Sequence, residues 1–201
     1  MFILPPLVAG GLAAVFGHPL AAGLLFAITL FLIQFFRDPD RVPEGGPETI
    51  VSPADGTVLS VTEPPEAPPG AKRRLSIFMS VFNCHINRAP AAGRIDEFTH
   101  VPGKKLAAFD DKASTDNEQT RVTLSAPQGR LAFKQIAGAL ARRIVFYPAV
   151  GQELARGERI GIIKFGSRVD LFLPDDCELL VRKGQKLKAG MSGIARWRGS
   201  A

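Results

Sequence analysis

The chain has 201 residues, enough for one domain with a sizeable core and a short appendage. Its formal net charge of +6 falls entirely after residue 36, because the first 36 residues contain no Asp, Glu, Lys or Arg. Two cysteines, Cys84 and Cys177, make no disulfide framework and lack metal-ligand spacing, and the basic clusters have no interleaved aromatics, so neither a metal nor a nucleic-acid partner is expected.

In chain order, the first feature is a pair of apolar runs, residues 7–16 and 20–36, separated by Gly17-His18-Pro19, which breaks or kinks a helix. As a helix the second run is about 25 Å long at ~1.5 Å per residue, borderline for a span. A hairpin dipping into the bilayer and one tilted span both satisfy the pattern. Residues 1–6 carry no charge, unlike a secretory n-region, so residues 1–36 read as a retained helical membrane anchor. Arg37 and Arg41 directly follow it, and by the positive-inside rule they put residues 37–201 on the cytoplasmic side of the cell membrane. The basic clusters beyond suit an anionic membrane surface.

Residues 36–47 are rich in Pro, Gly and charge and read as a linker or extended arm. Short β-type runs follow at 57–61, 75–82, 121–124, 130–135, 159–163, 168–173 and 179–181. Residues 63–70, with four prolines, form a loop. Residues 137–145 fit either a short helix or a buried strand. The fold class expected for 37–201 is mainly β (α+β), a compact sandwich or barrel-like domain.

Candidate chemistry sits in few places. Gly166-Ser167 lies between an apolar run ending at Phe165 and the alternation of Val169, Leu171 and Leu173; such a dipeptide is usually only a turn. If residues 77–87 are extended, Asn83, His85 and Asn87 share one face while Cys84 and Ile86 take the other. Asp55 lies in a Pro-Ala-Asp-Gly turn, where Asp commonly bonds its own backbone. Arg88 suits paired hydrogen bonds to a carboxylate or phosphate, and equally a loop surface. His100 precedes a turn signal and is read as structural.

Taken together, the motifs FRDP (36–39), SPADG (52–56), NCHINRAP (83–90), DNEQ (116–119), QIAG with ARRI (135–144) and KFGSRVD (164–170) make the chain resemble the phosphatidylserine decarboxylase family, in its short form, over nearly its whole length. That resemblance implies self-cleavage between Gly166 and Ser167. The Ser167 hydroxyl attacks the Gly166 carbonyl, an N→O acyl shift gives an ester, and β-elimination leaves a large chain, 1–166, and a small chain, 167–201, that stay together as a heterodimer. Ser167 then becomes a pyruvoyl cofactor, covalent pyruvate, with no metal. The cofactor takes the amine of phosphatidylserine as a Schiff base and acts as electron sink while CO2 leaves, yielding phosphatidylethanolamine. By the same resemblance Asp55 and His85 form a relay with Ser167. Family members with two histidines in this region differ from this chain, which has His85 and then Arg88. Arg88 and Asn83 are the substrate-binding expectations, and Asn117 and Glu118 line the site by resemblance alone.

GQKLKAG (184–190) resembles the turn of biotinyl and lipoyl-type sandwiches, so structural kinship with that fold is expected and a carrier is one rival reading. Asp111-Lys112-Ala113 is similar to a lipoyl-lysine tip, although a polar segment follows it. A membrane-anchored lipid-binding module without chemistry is the second rival. A pyruvoyl decarboxylase of a soluble amino acid is a third, for which an anchor serves little.

Overall fold

The structure, a computed structural model, describes residues 2–65, 67–110, 112–139, 143–164 and 166–199. Asp111 of the carrier-like tripeptide, Arg142 of the basic clusters, and Phe165 therefore lie outside the described residues. The chain divides into two compact units, Met1–Pro39 and Asp40–Ala201.

The first unit holds helices α1 (Leu4–Val15) and α2 (Pro19–Phe35), each with proline in its first turn, where the missing N–H costs nothing. Gly17 ends α1 in the left-handed region at φ 75°, and Pro19 opens α2. The two helices pack on each other, tightly at Gly10, where a Cβ would stand 3.1 Å from Phe26. Among the described residues no helix is long and apolar enough to cross a membrane. The N-terminus is thus a helical pair, with large apolar side chains such as Leu20 and Val15 at its surface.

The second unit is mainly β. Its strands are β1 (Thr49–Val51), β2 (Gly56–Thr62), β3 (Ala71–Met79), β4 (Ile86–Arg88), β5 (Gly93–Val101), β6 (Gln119–Ala126) and β7 (Gly129–Ala137). They continue as β8 (Arg143–Phe146), β9 (Glu153–Leu154), β10 (Arg159–Lys164), β11 (Ser167–Pro174), β12 (Cys177–Leu179), β13 (Lys186–Leu187) and β14 (Gly193–Trp197). A short helix, α3 (Ala113–Asp116), interrupts the connection from β5 to β6. Eight strands form a curled sheet in the order β13-β2-β3-β11-β7-β6-β5-β9, and two three-stranded sheets, β1-β14-β12 and β4-β10-β8, complete the unit.

Strand β11 is the centre of this architecture, antiparallel to β3 on one side and β7 on the other. Its alternation sends Val169, Leu171 and Leu173 into the core with Leu75, Ile77 and Phe133. The opposite face, Arg168, Asp170 and Phe172, is buried too. There Ser114 of α3 donates to Asp170 at 2.6 Å, and Arg168 donates to Asp170 at 2.6 Å, to Ser76 at 2.6 Å and to the Asp110 carbonyl at 3.3 Å. Both cysteines are buried, and burial followed by the Asp176 charge pushes the Cys177 thiol up to about 12.

One expectation needs correction. The run 75–82 stops as a strand at Met79, and a turn closed by Asn83 N–H to the Ser80 carbonyl, 2.9 Å, separates it from β4. Residues 77–87 are therefore not one extended segment. Residues 137–145 contain no described helix: β7 runs through Ala137 and β8 begins at Arg143. Arg41, one of the two arginines that follow the apolar runs, is 8% exposed in its side chain and paired with Asp55.

Candidate active site

Ser167 opens β11 opposite Met79 of β3 and Ala137 of β7. It is fully buried, and its hydroxyl donates to the Met79 sulfur at 3.2 Å. A thioether accepts weakly and is no base, so the hydroxyl is held at rest. One residue earlier the backbone leaves the ladder, with Gly166 at φ 61°, a conformation that favours glycine. The Gly166 carbonyl accepts from Gly138 N–H at 3.1 Å.

The other motifs converge on this point. Asn87 donates to the same Met79 sulfur at 3.7 Å and to the Pro53 carbonyl at 3.4 Å, linking the SPADG turn to β4. Gln135 donates to Asn87 at 2.8 Å and accepts from Thr120 at 3.0 Å. This polar chain is fully buried between the sheets, and Gly161 makes room for it: a Cβ there would lie 3.1 Å from the Gln135 amide. Asn117 donates to the Ala137 carbonyl at 2.6 Å and holds Leu106 through both its amide atoms at 2.9 Å. Its role as a brace comes from the connection that covers the sheet.

His85 is buried beside β4, and its Nδ1 lies 3.0 Å from the Asn83 carbonyl. A carbonyl only accepts, so this contact puts the proton on Nδ1 and leaves Nε2 as the basic nitrogen of the neutral ring. Asn83 itself caps the turn, its side-chain oxygen accepting from Ser80 N–H at 2.8 Å and Ser80 Oγ at 2.9 Å. Arg88 is 5% exposed and donates to the Gly157 carbonyl at 2.9 Å.

Asp55 is 1% exposed. Both its oxygens are held by Arg41, and Ala189 N–H donates to it at 2.8 Å. Burial pushes its carboxyl up, but the Arg41 and Ala189 hydrogen bonds and the charges of Arg41 and Lys188 outweigh this and hold it below the usual value. Through Arg41 and Ala189 it ties the arm before β1 to the loop before β14. Its link toward Ser167 runs through the Pro53 carbonyl, which accepts from Arg88 N–H at 3.0 Å and from Asn87. His100, expected to be structural, lies exposed on β5 with its Nε2 3.1 Å from Glu118. Lys112 stands just before α3, in a long connection and not at a hairpin tip, against the carrier reading.

A mainly apolar cavity of about 270 Å³ opens at Gly166, lined by Phe78, Met79, Ala108, Phe109 and Gly138 among others. Hollows of about 350 Å³ beside Arg130 and about 720 Å³ beside Arg198 share no lining residue with it. Of these hollows, the one at Gly166 adjoins the residue that precedes Ser167.

Sequence reading missed Met79, Gly138 and Gln135 as members of this site. Gln135 and Gly138 stood in the quoted QIAG motif, which was the available signal; Met79 had none.

A β-rich enzyme is what this combination of a central sheet, a buried seryl hydroxyl and an adjoining apolar cavity defines. The chain belongs to the phosphatidylserine decarboxylase family, whose model matches residues 28–195. It is similar to proteins named phosphatidylserine decarboxylase proenzyme from Pelobacter propionicus, at 45% identity over 96% of this chain and 89% of that protein, and Solibacter usitatus, at 48% over 94% and 89%. A third, from Symbiobacterium thermophilum, is 45% identical over 94% of this chain and 90% of its own.

Proposed function

We propose that this chain is a proenzyme that cuts itself between Gly166 and Ser167 and then decarboxylates phosphatidylserine to phosphatidylethanolamine, a step of phospholipid biosynthesis. The observation that carries the reading is the convergence of the SPADG, NCHINRAP, DNEQ and QIAG segments on one buried peptide bond. Family membership and the proenzyme names of the relatives support it.

Ser167 supplies the nucleophile, and His85, with its proton fixed on Nδ1 by Asn83, is the base suited to take the hydroxyl proton. Asp55 acts from the adjoining turn, anchored by Arg41. The site fits a pyruvoyl group, since position 167 is pinned at the head of a central strand beside a cavity. That group supplies an electrophilic carbonyl for the substrate amine and an electron sink for the departing CO2. Met79, Ala108 and Phe109 give the cavity the apolar lining that a lipid headgroup's glycerol and acyl carbons call for. Arg88 and Asn83 are assigned to the anionic headgroup on the resemblance, although Arg88 also holds Gly157 and Asn83 caps its turn.

The membrane enters the proposal through the first unit. Exposed Leu20, Leu24, Leu30 and Ile33 of α2 support immersion of the helical pair in the bilayer, with the catalytic unit on the cytoplasmic side. Phe82 and Phe109, 70% and 68% exposed in the second unit, support contact with a lipid surface there. Kinship with biotinyl and lipoyl-type sandwiches stays part of the same proposal.

Intact-mass analysis under denaturing conditions tests the reading. Two masses corresponding to 1–166 and 167–201, the second blocked by a borohydride-reducible carbonyl, are expected; one continuous chain refutes it.

A further inference from the structure

On the reading that the chain cuts itself at Gly166–Ser167, we propose that the backbone N–H of Gly138, set by Asn117, stabilises the oxyanion that forms on the Gly166 carbonyl oxygen. The Gly138 nitrogen lies 3.1 Å from that oxygen. A Cβ at position 138 would stand 2.5 Å from the oxygen, 3.1 Å from the carbonyl carbon and 3.0 Å from the Ala108 Cβ. Only a residue without a side chain lets the two backbones come this close.

The bond lies one pair beyond the regular β7–β11 ladder, whose last partners here are Ala137 and Ser167. The donor is therefore rooted in the sheet while its acceptor, Gly166, has already turned into the left-handed region.

Asn117 acts on the same donor from behind. Its side-chain amide gives a 2.6 Å hydrogen bond to the Ala137 carbonyl, and that carbonyl belongs to the same peptide plane as Gly138 N–H. Bonding at the oxygen polarises the plane and strengthens donation from its nitrogen. Ala137 N–H is held in turn by the Glu118 carbonyl at 2.9 Å. Asn117 is thus a positioning residue, fully buried and with both ends of its amide engaged.

The step balances without a further reactant. Ser167 Oγ bonds to the Gly166 carbonyl carbon as its proton passes to a base, and the C=O π pair moves onto oxygen, where Gly138 N–H meets the charge. Collapse restores C=O and breaks the Gly166–Ser167 C–N bond, and the Ser167 nitrogen takes a proton. The product is the ester isomer of the original peptide.

The test follows cutting of newly synthesised full-length chain by mass, for wild type, G138A and N117D. Wild type is expected to cut. G138A is expected to cut about 100-fold more slowly, the scale of one lost oxyanion donor. N117D keeps the shape of the side chain but cannot donate in its ionised form, and is expected to slow cutting by a smaller factor. Hydroxylamine reads the step: with ester formation blocked, neither variant yields a trapped Gly166 hydroxamate above the wild-type level. Folding is checked by melting G138A/S167A against S167A, neither of which can cut. If that double variant does not fold, N117D decides alone, and a wild-type rate for it overturns the proposal. A folded G138A that cuts at the wild-type rate, or that accumulates trappable ester, also overturns it. A wild-type chain that stays whole removes the self-cleavage reading, and the inference with it.

Discussion

At the scale of single residues, the site is a buried polar knot inside an apolar core, and each member is satisfied by another. Gln135 is the middle link, and Gln135→Leu leaves the Asn87 oxygen and the Thr120 hydroxyl without their partner. We expect a loss of about 1–3 kcal/mol, the cost of an unmet buried polar group, measured by denaturant unfolding in an S167A background. On the proposed relay His85→Ala removes the base; cutting should slow by roughly 10²–10⁴-fold, and efficient cutting would exclude it from the first step. Legibility at this scale followed chemistry. Ser167, His85 and Asp55 stood out as candidates because side chains of these types in unusual strings draw notice. Gly138 and Met79 were not, because a backbone N–H has no letter of its own and a thioether in a core strand looks like packing. The alternation used for Asn83 failed for a local reason, since the turn at residues 80–83 interrupts the strand.

At the scale of elements, β11 carries Val169, Leu171 and Leu173 on one face and the charged Arg168 and Asp170 on the other, and both faces are buried. Asp170→Ala leaves the Arg168 guanidinium, 1% exposed, without its carboxylate. We expect a loss of about 3–5 kcal/mol, the usual penalty for stranding one member of a buried pair, read from the same unfolding measurements. The arm before β1 depends on a second buried pair, Arg41–Asp55. Because the folded carboxyl is held below its ordinary value, its contribution is fully present above about pH 4 and is lost as pH falls through the folded value. The stability gap between S167A and D55N/S167A should therefore stay constant from pH 7 to about 5 and narrow only below about pH 4. A gap that closes near neutrality would contradict this assignment. The strands read most readily from the sequence were those with apolar alternation, such as β7, β10 and β11. Strand β5 escaped because a bulge between Ile95 and Glu97 shifts its alternation and most of its side chains are exposed. Short β4, β9 and β13 are defined by their partners more than by their own residues.

At the scale of the molecule, the proposed cut falls between two stretches that remain woven together. The small chain would contribute β11 between β3 and β7, β13 beside β2 and β14 beside β1, all of them strands of the large chain. Native mass spectrometry should therefore return a single particle carrying both chains, which separate only under denaturant. Dissociation in native buffer would show that the shared sheet does not hold them. The division between an uncharged N-terminus and a mainly β remainder was legible in composition. The placing of the cleavage bond at the middle of a sheet was not, because it is set by pairings between residues about ninety positions apart.

That central position has a metabolic corollary. On the proposed reading, a group made from the chain's own serine, at the head of a strand with neighbours on both sides, would have no route by which a fresh copy is loaded from solution. A molecule whose carbonyl is spent by a side reaction would then be retired for good, and the supply of this activity would follow how fast new chains are translated.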